Sequence, residues 1–130
     1  MKSPVEIDDL LAYLKKQHLI TSLELTSCDK TMTRSVYKLR CRLLPNKYQL
    51  YIRVIQTPTE LVYSYQLFTE HPIVRWDNAP HFPDVSSYPH HFHDQNDTVH
   101  SSPLQGDVFA DLDIVLSEVK EVIQRLELPS

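Results

Sequence analysis

Histidine is the side chain that most readily takes and gives a proton near neutral pH, and it also ligates transition metals. Five of the seven histidines in this chain lie between Arg75 and Pro103, in RWDNAPHFPDVSSYPHHFHDQNDTVHSSP. Three of them, His90, His91 and His93, fall within YPHHFH. If that segment is extended, His91 and His93 share a side and His90 faces away, while His81 and His100 could converge on either. Three roles compete. A zinc site needs three or four convergent ligands at roughly 2 Å, and no cysteine pair or His-x-x-x-His spacing supports one. General acid–base chemistry suits the residue types better. Cleavage of RNA needs one group to take the 2′-hydroxyl proton and another to protonate the leaving oxygen, with no metal required. The third role is structural or partner-binding, with imidazoles stacked on Phe82, Tyr88 and Phe92 and bonded to backbone carbonyls.

The flanking residues sharpen the choice. Asp77 and Asn78 can bond backbone amides in an Asx-type turn, and Pro80 drives Ala79 to an extended conformation. Their plain role is a rigid corner at a sheet edge. The sharper one has Asp77 orienting His81, as a carboxylate orients a catalytic imidazole. Arg75 could then stabilise an anionic transition state. The candidate catalytic set is therefore His81, His91, His93, Arg75 and Asp77, with Trp76, Asn78, Tyr88 and His90 supporting it. No metal and no cofactor are expected. The single glycine, Gly106, removes phosphate-cradling loops and dinucleotide motifs from consideration.

The third feature is cationic. Arg34, Lys38, Arg40 and Arg42 alternate along one segment, and Arg53 could lie beside them. A solvated sheet face usually explains such alternation. Four like charges on one side nevertheless form a local track able to hold a phosphate backbone. Tyr51, Tyr63 and Tyr65 would add stacking surfaces if they point outward. The net charge of −4 offers no global attraction to nucleic acid, so any such contact must be local.

These residues need elements to position them. Pro4 to about Gln17 reads as a helix, with Ser3 as N-cap, Glu6 closing a capping box, and Ile7, Leu10, Leu11 and Leu14 on one face. The period then changes to two. Strands are expected at Leu19–Thr26 (ended by SCDKT), Arg34–Leu43, Tyr48–Ile55, Glu60–Phe68 and Ile73–Trp76. Tyr37, Leu39, Cys41 and Leu43 should face the core. A C-terminal helix capped by Asp107 or Asp111 runs to about Leu126, with Leu112, Val115, Val119, Val122 and Leu126 as its stripe. The expected fold is α+β: an antiparallel sheet of about five strands, a helix at each end covering one face, and a long His/Pro-rich loop. The 130 residues suit a single domain. No run of about 18 apolar residues exists to span a membrane. The N-terminal stretch lacks the apolar core of a signal peptide, so a cytoplasmic protein with two unpaired cysteines is expected. The edge beside Ile73–Trp76 could pair with a second copy in a homodimer.

At residues 75–93 the chain resembles the TumE-like family of small prokaryotic proteins. Their pattern is an aromatic-Asp-Asn-Ala-Pro-His-His-Pro block, a spacer, then a Phe/Tyr-Pro-His-His-Lys-His block. Trp76, Asp77, Asn78, Ala79, Pro80, His81 and Pro83 match the first block; Tyr88, Pro89, His90, His91 and His93 match the second. Phe82 stands where a second histidine is common, and Phe92 where lysine is common. The resemblance implies a toxin component of a toxin–antitoxin pair. It also implies a cognate antitoxin of the TumA type, which looks like a helix-turn-helix regulator. From the histidine chemistry, the expected activity is that of a metal-independent ribonuclease. The alternative is a protein- or nucleic-acid-binding module without chemistry.

Overall fold

A computed structural model describes residues 4–129. The elements run α1 (Ile7–Lys15), β1 (Ile20–Lys30), β2 (Ser35–Leu43), β3 (Gln49–Gln56), β4 (Leu61–Phe68), β5 (Pro72–Asp77), β6 (His91–His93), β7 (Val99–Ser101) and α2 (Val108–Leu126). All strands join one sheet in sequence order, β1 to β7, and every neighbouring pair is antiparallel. The α+β meander with a helix at each end is as expected.

The sheet has seven strands rather than five, because the histidine-rich stretch supplies two of them. Phe92 pairs with Trp76 and places HFH beside β5. The chain then reverses over residues 94–98. The Asp94 carboxylate accepts from the Asn96 and Thr98 amides, and Asp97 takes a left-handed φ of 58°. The loop proper is thus residues 78–90. β6 pairs only with Arg75–Asp77, so the sheet edge expected beside Ile73–Trp76 is covered at Arg75 and Trp76, while Ile73 and Val74 have no β6 partner. The outermost strands are β1 and β7.

Two boundaries also differ. Helix α1 starts at Ile7 with Glu6 as a cap whose side chain makes no capping bond and instead accepts from Lys30. The Ser3 cap lies outside the described residues. The side chain of Gln56 bonds both the amide and the carbonyl of Val5, which holds that segment extended and delays the helix. Strand β1 continues through SCDK to Lys30, because Cys28, Asp29 and Lys30 pair with Tyr37, Val36 and Ser35. An edge strand tolerates these polar side chains, so backbone pairing sets its length.

One parity of every central strand is buried. Leu39, Cys41, Leu50, Ile52, Val54, Tyr63, Tyr65, Leu67 and Trp76 join Leu10 and Leu14 of α1 and Leu112, Val115 and Val119 of α2 in one core. Tyr63 and Tyr65 stack on each other inside it, with ring centroids 5.0 Å apart. They are therefore not surface stacking platforms, because their parity points to the helices. On α2, Asp107 is the cap and accepts from the Ala110 amide. Asp111 is buried and instead accepts from the Gln105 and Gly106 amides. That turn needs glycine, since Gly106 adopts φ +89°. Leu126 is exposed at the helix end, while Leu116 and Ile123 complete the buried stripe. Both cysteines are free, and burial pushes the Cys41 thiol up to about 12. Among the described residues, no helix is long and apolar enough to cross a membrane.

Candidate functional site

The face opposite the helices carries the other parity of each strand. Cross-strand register orders it into two rows. One holds Lys38, Arg53, Ser64, Asp77, His91 and Ser101; the next holds Arg40, Tyr51, Gln66, Arg75, His93 and Val99. The core fixes this alignment. Trp76 and Phe92 pack at 5.1 Å on the helical side, which forces Asp77 opposite His91 and Arg75 opposite His93 on the other. A one-residue slip would turn all four site residues inward.

Arg75, Asp77, His91 and His93 form one bonded cluster. Asp77 Oδ1 lies 2.9 Å from His91 Nε2 and accepts from the Ala79 amide at 3.0 Å, closing an Asx turn. Its Oδ2 accepts from Arg75 Nε at 2.8 Å. Arg75 Nη2 lies 2.9 Å from His93 Nε2. The remaining ring nitrogens are also engaged: His91 Nδ1 lies 3.0 Å from the Pro89 carbonyl oxygen, and His93 Nδ1 3.0 Å from Asp97 Oδ1. Asp77, His91 and His93 are buried, whereas the Arg75 side chain is 39% exposed. The loop 78–90 folds back over this face and sets Phe82 edge-on to both imidazoles, at 4.7 Å from His91 and 5.7 Å from His93. A cleft of about 340 Å³ opens beside the cluster, lined by Gln66, Arg75, His93 and Asp97 among others. A wider one of about 690 Å³ lies farther along the sheet, by Lys47, Thr69 and His71, away from the bonded cluster.

The other sequence-derived candidates are spread around it. His81 is exposed on the loop, its ring 6.4 Å from Phe82. The carboxylate of Asp77 is taken by Arg75 and His91, not by His81. His90 faces the core side, where its Nδ1 lies 2.7 Å from the Tyr63 hydroxyl; burial pulls its pKa down. Burial likewise raises the Tyr63 phenol, which keeps it a donor. Asn78 stitches β5 to β4: its amide donates to the Leu61 carbonyl and its oxygen accepts from the Tyr63 amide. Trp76 is fully buried in the core, and Tyr88 is exposed on the loop.

The cations divide in the same way. Lys38 and Arg53 sit in the row of Asp77, with Arg53 two strands away, roughly 10 Å at normal strand spacing. Among the described residues neither is ion-paired. Arg40 shares the Arg75 row and lies 4.0 Å from Glu24. Arg42 donates to the Asn46 carbonyl. Arg34 precedes β2 in the turn at 31–34, off the rows. Of the three tyrosines considered for stacking, Tyr51 alone lies on this face.

The Phe82 ring and a backbone carbonyl partner for an imidazole were among the sequence expectations, whereas Asp97 was passed over; its signal was the His93-x-x-x-Asp97 spacing across a turn rich in Asp and Asn.

The family described as toxin TumE matches residues 10–124 of the 130-residue chain. No curated protein and no solved structure matches it. The matched span takes in the whole sheet, the histidine cluster and nearly all of α2, and on that extent the chain belongs to the toxin TumE family.

Proposed function

We propose that this toxin acts on RNA, and that the Arg75–Asp77–His91–His93 cluster is where the phosphate is handled. Membership of the family makes the chain the toxin component of a toxin–antitoxin system with a cognate antitoxin partner; the RNA target is our own step. One observation carries it. The cluster shares a helix-free sheet face, and two cross-strand rows, with Lys38, Arg40 and Arg53. A strand of RNA laid across those rows would meet cations first and the cluster at the end. Arg75, half exposed and anchored by Asp77, is placed to meet an anionic phosphate. Exposed His81 is free to move a proton. His91 and His93 have both nitrogens engaged, which suits holding the site, and the acid–base role expected of them from sequence is what the histidine variants below test.

The same engagement favours a second reading, a binding module without chemistry. The antitoxin that suits the family resemblance is a TumA-like helix-turn-helix protein, and a homodimer would form through the free β1 or β7 edge.

The test is growth of a bacterial host expressing wild type, Arg75→Ala/His81→Ala, or His81→Ala/His91→Ala/His93→Ala. Circular dichroism checks each fold. Arrest by the wild type with fragmented RNA, lost in the folded surface double variant, supports an RNA-cleaving site. Arrest with intact RNA would sink the ribonuclease and favour the binding module. Cleavage with and without EDTA separates a direct acid–base route from a metal-assisted one.

A further inference from the structure

The centre of the cluster is short of positive charge, and its ligand geometry says what would supply it. We propose that Asp77, His91 and His93 bind a divalent transition-metal ion of the zinc class, and that Arg75 keeps the place when the ion is absent.

Spacing comes first. One ligand atom from each of the three residues lies within 4.8 Å of the others. His91 Nε2 is 2.9 Å from Asp77 Oδ1, and His93 Nε2 is 3.7 Å from Asp77 Oδ2. Donors at about 2.0–2.1 Å from a tetrahedral ion stand roughly 3.3 Å apart, and each imidazole lies close to that distance from one of the two Asp77 oxygens.

Orientation comes second. A metal-bound imidazole donates its other N–H to a carbonyl or carboxylate, which fixes the tautomer. Both rings do this: His91 Nδ1 faces the Pro89 carbonyl, and His93 Nδ1 faces Asp97. In each ring Nε2 is thereby turned to the cluster.

Hydrogen-bond stoichiometry points the same way. A neutral imidazole has one N–H. His91 points both nitrogens at oxygen acceptors, so a neutral ring leaves its Nε2 lone pair against a carboxylate at 2.9 Å. His93 Nε2 is met by the guanidinium of Arg75, which can only donate. Both Nε2 positions therefore call for a cation. Without metal, the Arg75 guanidinium is the cation that meets the cluster. One dication between the three ligands would fill that role better, because the site is buried and roofed by Phe82. Arg75 is the exposed member and lines the adjoining cleft, so it can swing aside and open a route from solvent. Three protein ligands leave a coordination position for water.

Binding is read without substrate, so it stands or falls apart from the RNA reading. The full chain, made without a polyhistidine tag and stripped by EDTA dialysis, is titrated with Co²⁺ by visible absorption and then with Zn²⁺ in competition. One equivalent should bind, with the intense visible bands of low-coordinate Co²⁺ and complete displacement by Zn²⁺. His91→Ala or His93→Ala should weaken binding by about 100-fold or more, beyond what loss of a supporting hydrogen bond does. Arg75→Gln should tighten it, and His81→Ala/His100→Ala, which alters only exposed histidines, should leave it unchanged. If the alanine variants fail to fold, the ring ¹⁵N resonances of the wild type decide: Zn²⁺ must shift Nε2 of His91 and His93. A folded wild type that takes up neither ion overturns the proposal. So does uptake that survives His93→Ala, or is lost in His81→Ala/His100→Ala, or leaves those two resonances unmoved.

Discussion

Replacing Asp77 by alanine should destabilise the protein more than any other change at the cluster. The carboxylate accepts hydrogen bonds from Arg75 Nε and the Ala79 amide, and its Oδ1 lies 2.9 Å from His91 Nε2. Each bond to a charged group is worth about 1.5–3 kcal/mol. The Arg75 side chain is 39% exposed and regains water when released, so its bond is set aside. The other two contacts lie in a buried site, and His91 Nε2 loses its partner at a position 1% exposed. The expected loss is about 3–5 kcal/mol, the usual cost of removing one partner of a buried pair. For a domain of this size that lowers Tm by roughly 10–20 °C. Urea unfolding followed by circular dichroism in EDTA measures it, with an unchanged m-value as the check on two-state behaviour. Asp97→Ala is the control. Its carboxylate also bonds a cluster histidine but is 88% exposed, and it should cost less than about 1 kcal/mol. Equal losses from the two substitutions would mean that Asp77 is not the organising group, and the account of the cluster would be wrong.

Three further outcomes are expected. Lys38→Ala/Arg53→Ala should lower RNA affinity and reduce the salt slope by about 1.4, at roughly 0.7 per phosphate contact. Arg34→Ala, off the rows, should leave the slope unchanged, and the reverse pattern would displace the track from this face. Stability should fall as pH drops through the usual imidazole range near 6.5. Burial holds His90 below that value when folded, so the unfolded chain binds the extra proton and the contribution is whole only above it. His90→Gln should flatten this part of a Tm-against-pH curve, and an unaltered curve would remove His90 as its source. Asn78→Ala should cost about 2–4 kcal/mol, since it strands the Leu61 carbonyl and Tyr63 amide at the mouth of β4. A loss below about 0.5 kcal/mol would show that water replaces Asn78 freely.

The strands of the central sheet were legible because apolar residues alternate cleanly, as in Tyr37, Leu39, Cys41 and Leu43. Their polar partners, Lys38, Arg40 and Arg42, then had to share the opposite face. The C-terminal helix was legible from its cap and stripe. Strands β6 and β7 were not. Three-residue strands carry too little alternation to stand out among prolines and turn residues, and only pairing, of β6 with β5 and of β7 with β6, makes them strands. The start of α1 was missed for a related reason: Gln56, distant in sequence, holds Val5 out of the helix.

By itself, then, the sequence determined an antiparallel α+β protein, a cationic strand face and a concentration of histidines beside an Asp-Asn corner. Those features follow from local periodicity and turn chemistry, which act over a few residues. Which histidine meets Asp77 is a different kind of fact. The Trp76–Phe92 contact and the β5–β6 register place His91 there and leave His81 on the rim, and those contacts join residues far apart in the chain. Only the tertiary structure could decide that His91 and His93 turn Nε2 toward one carboxylate, because the fold of the loop and the turn brings the Pro89 carbonyl and the Asp97 carboxylate to their other nitrogens.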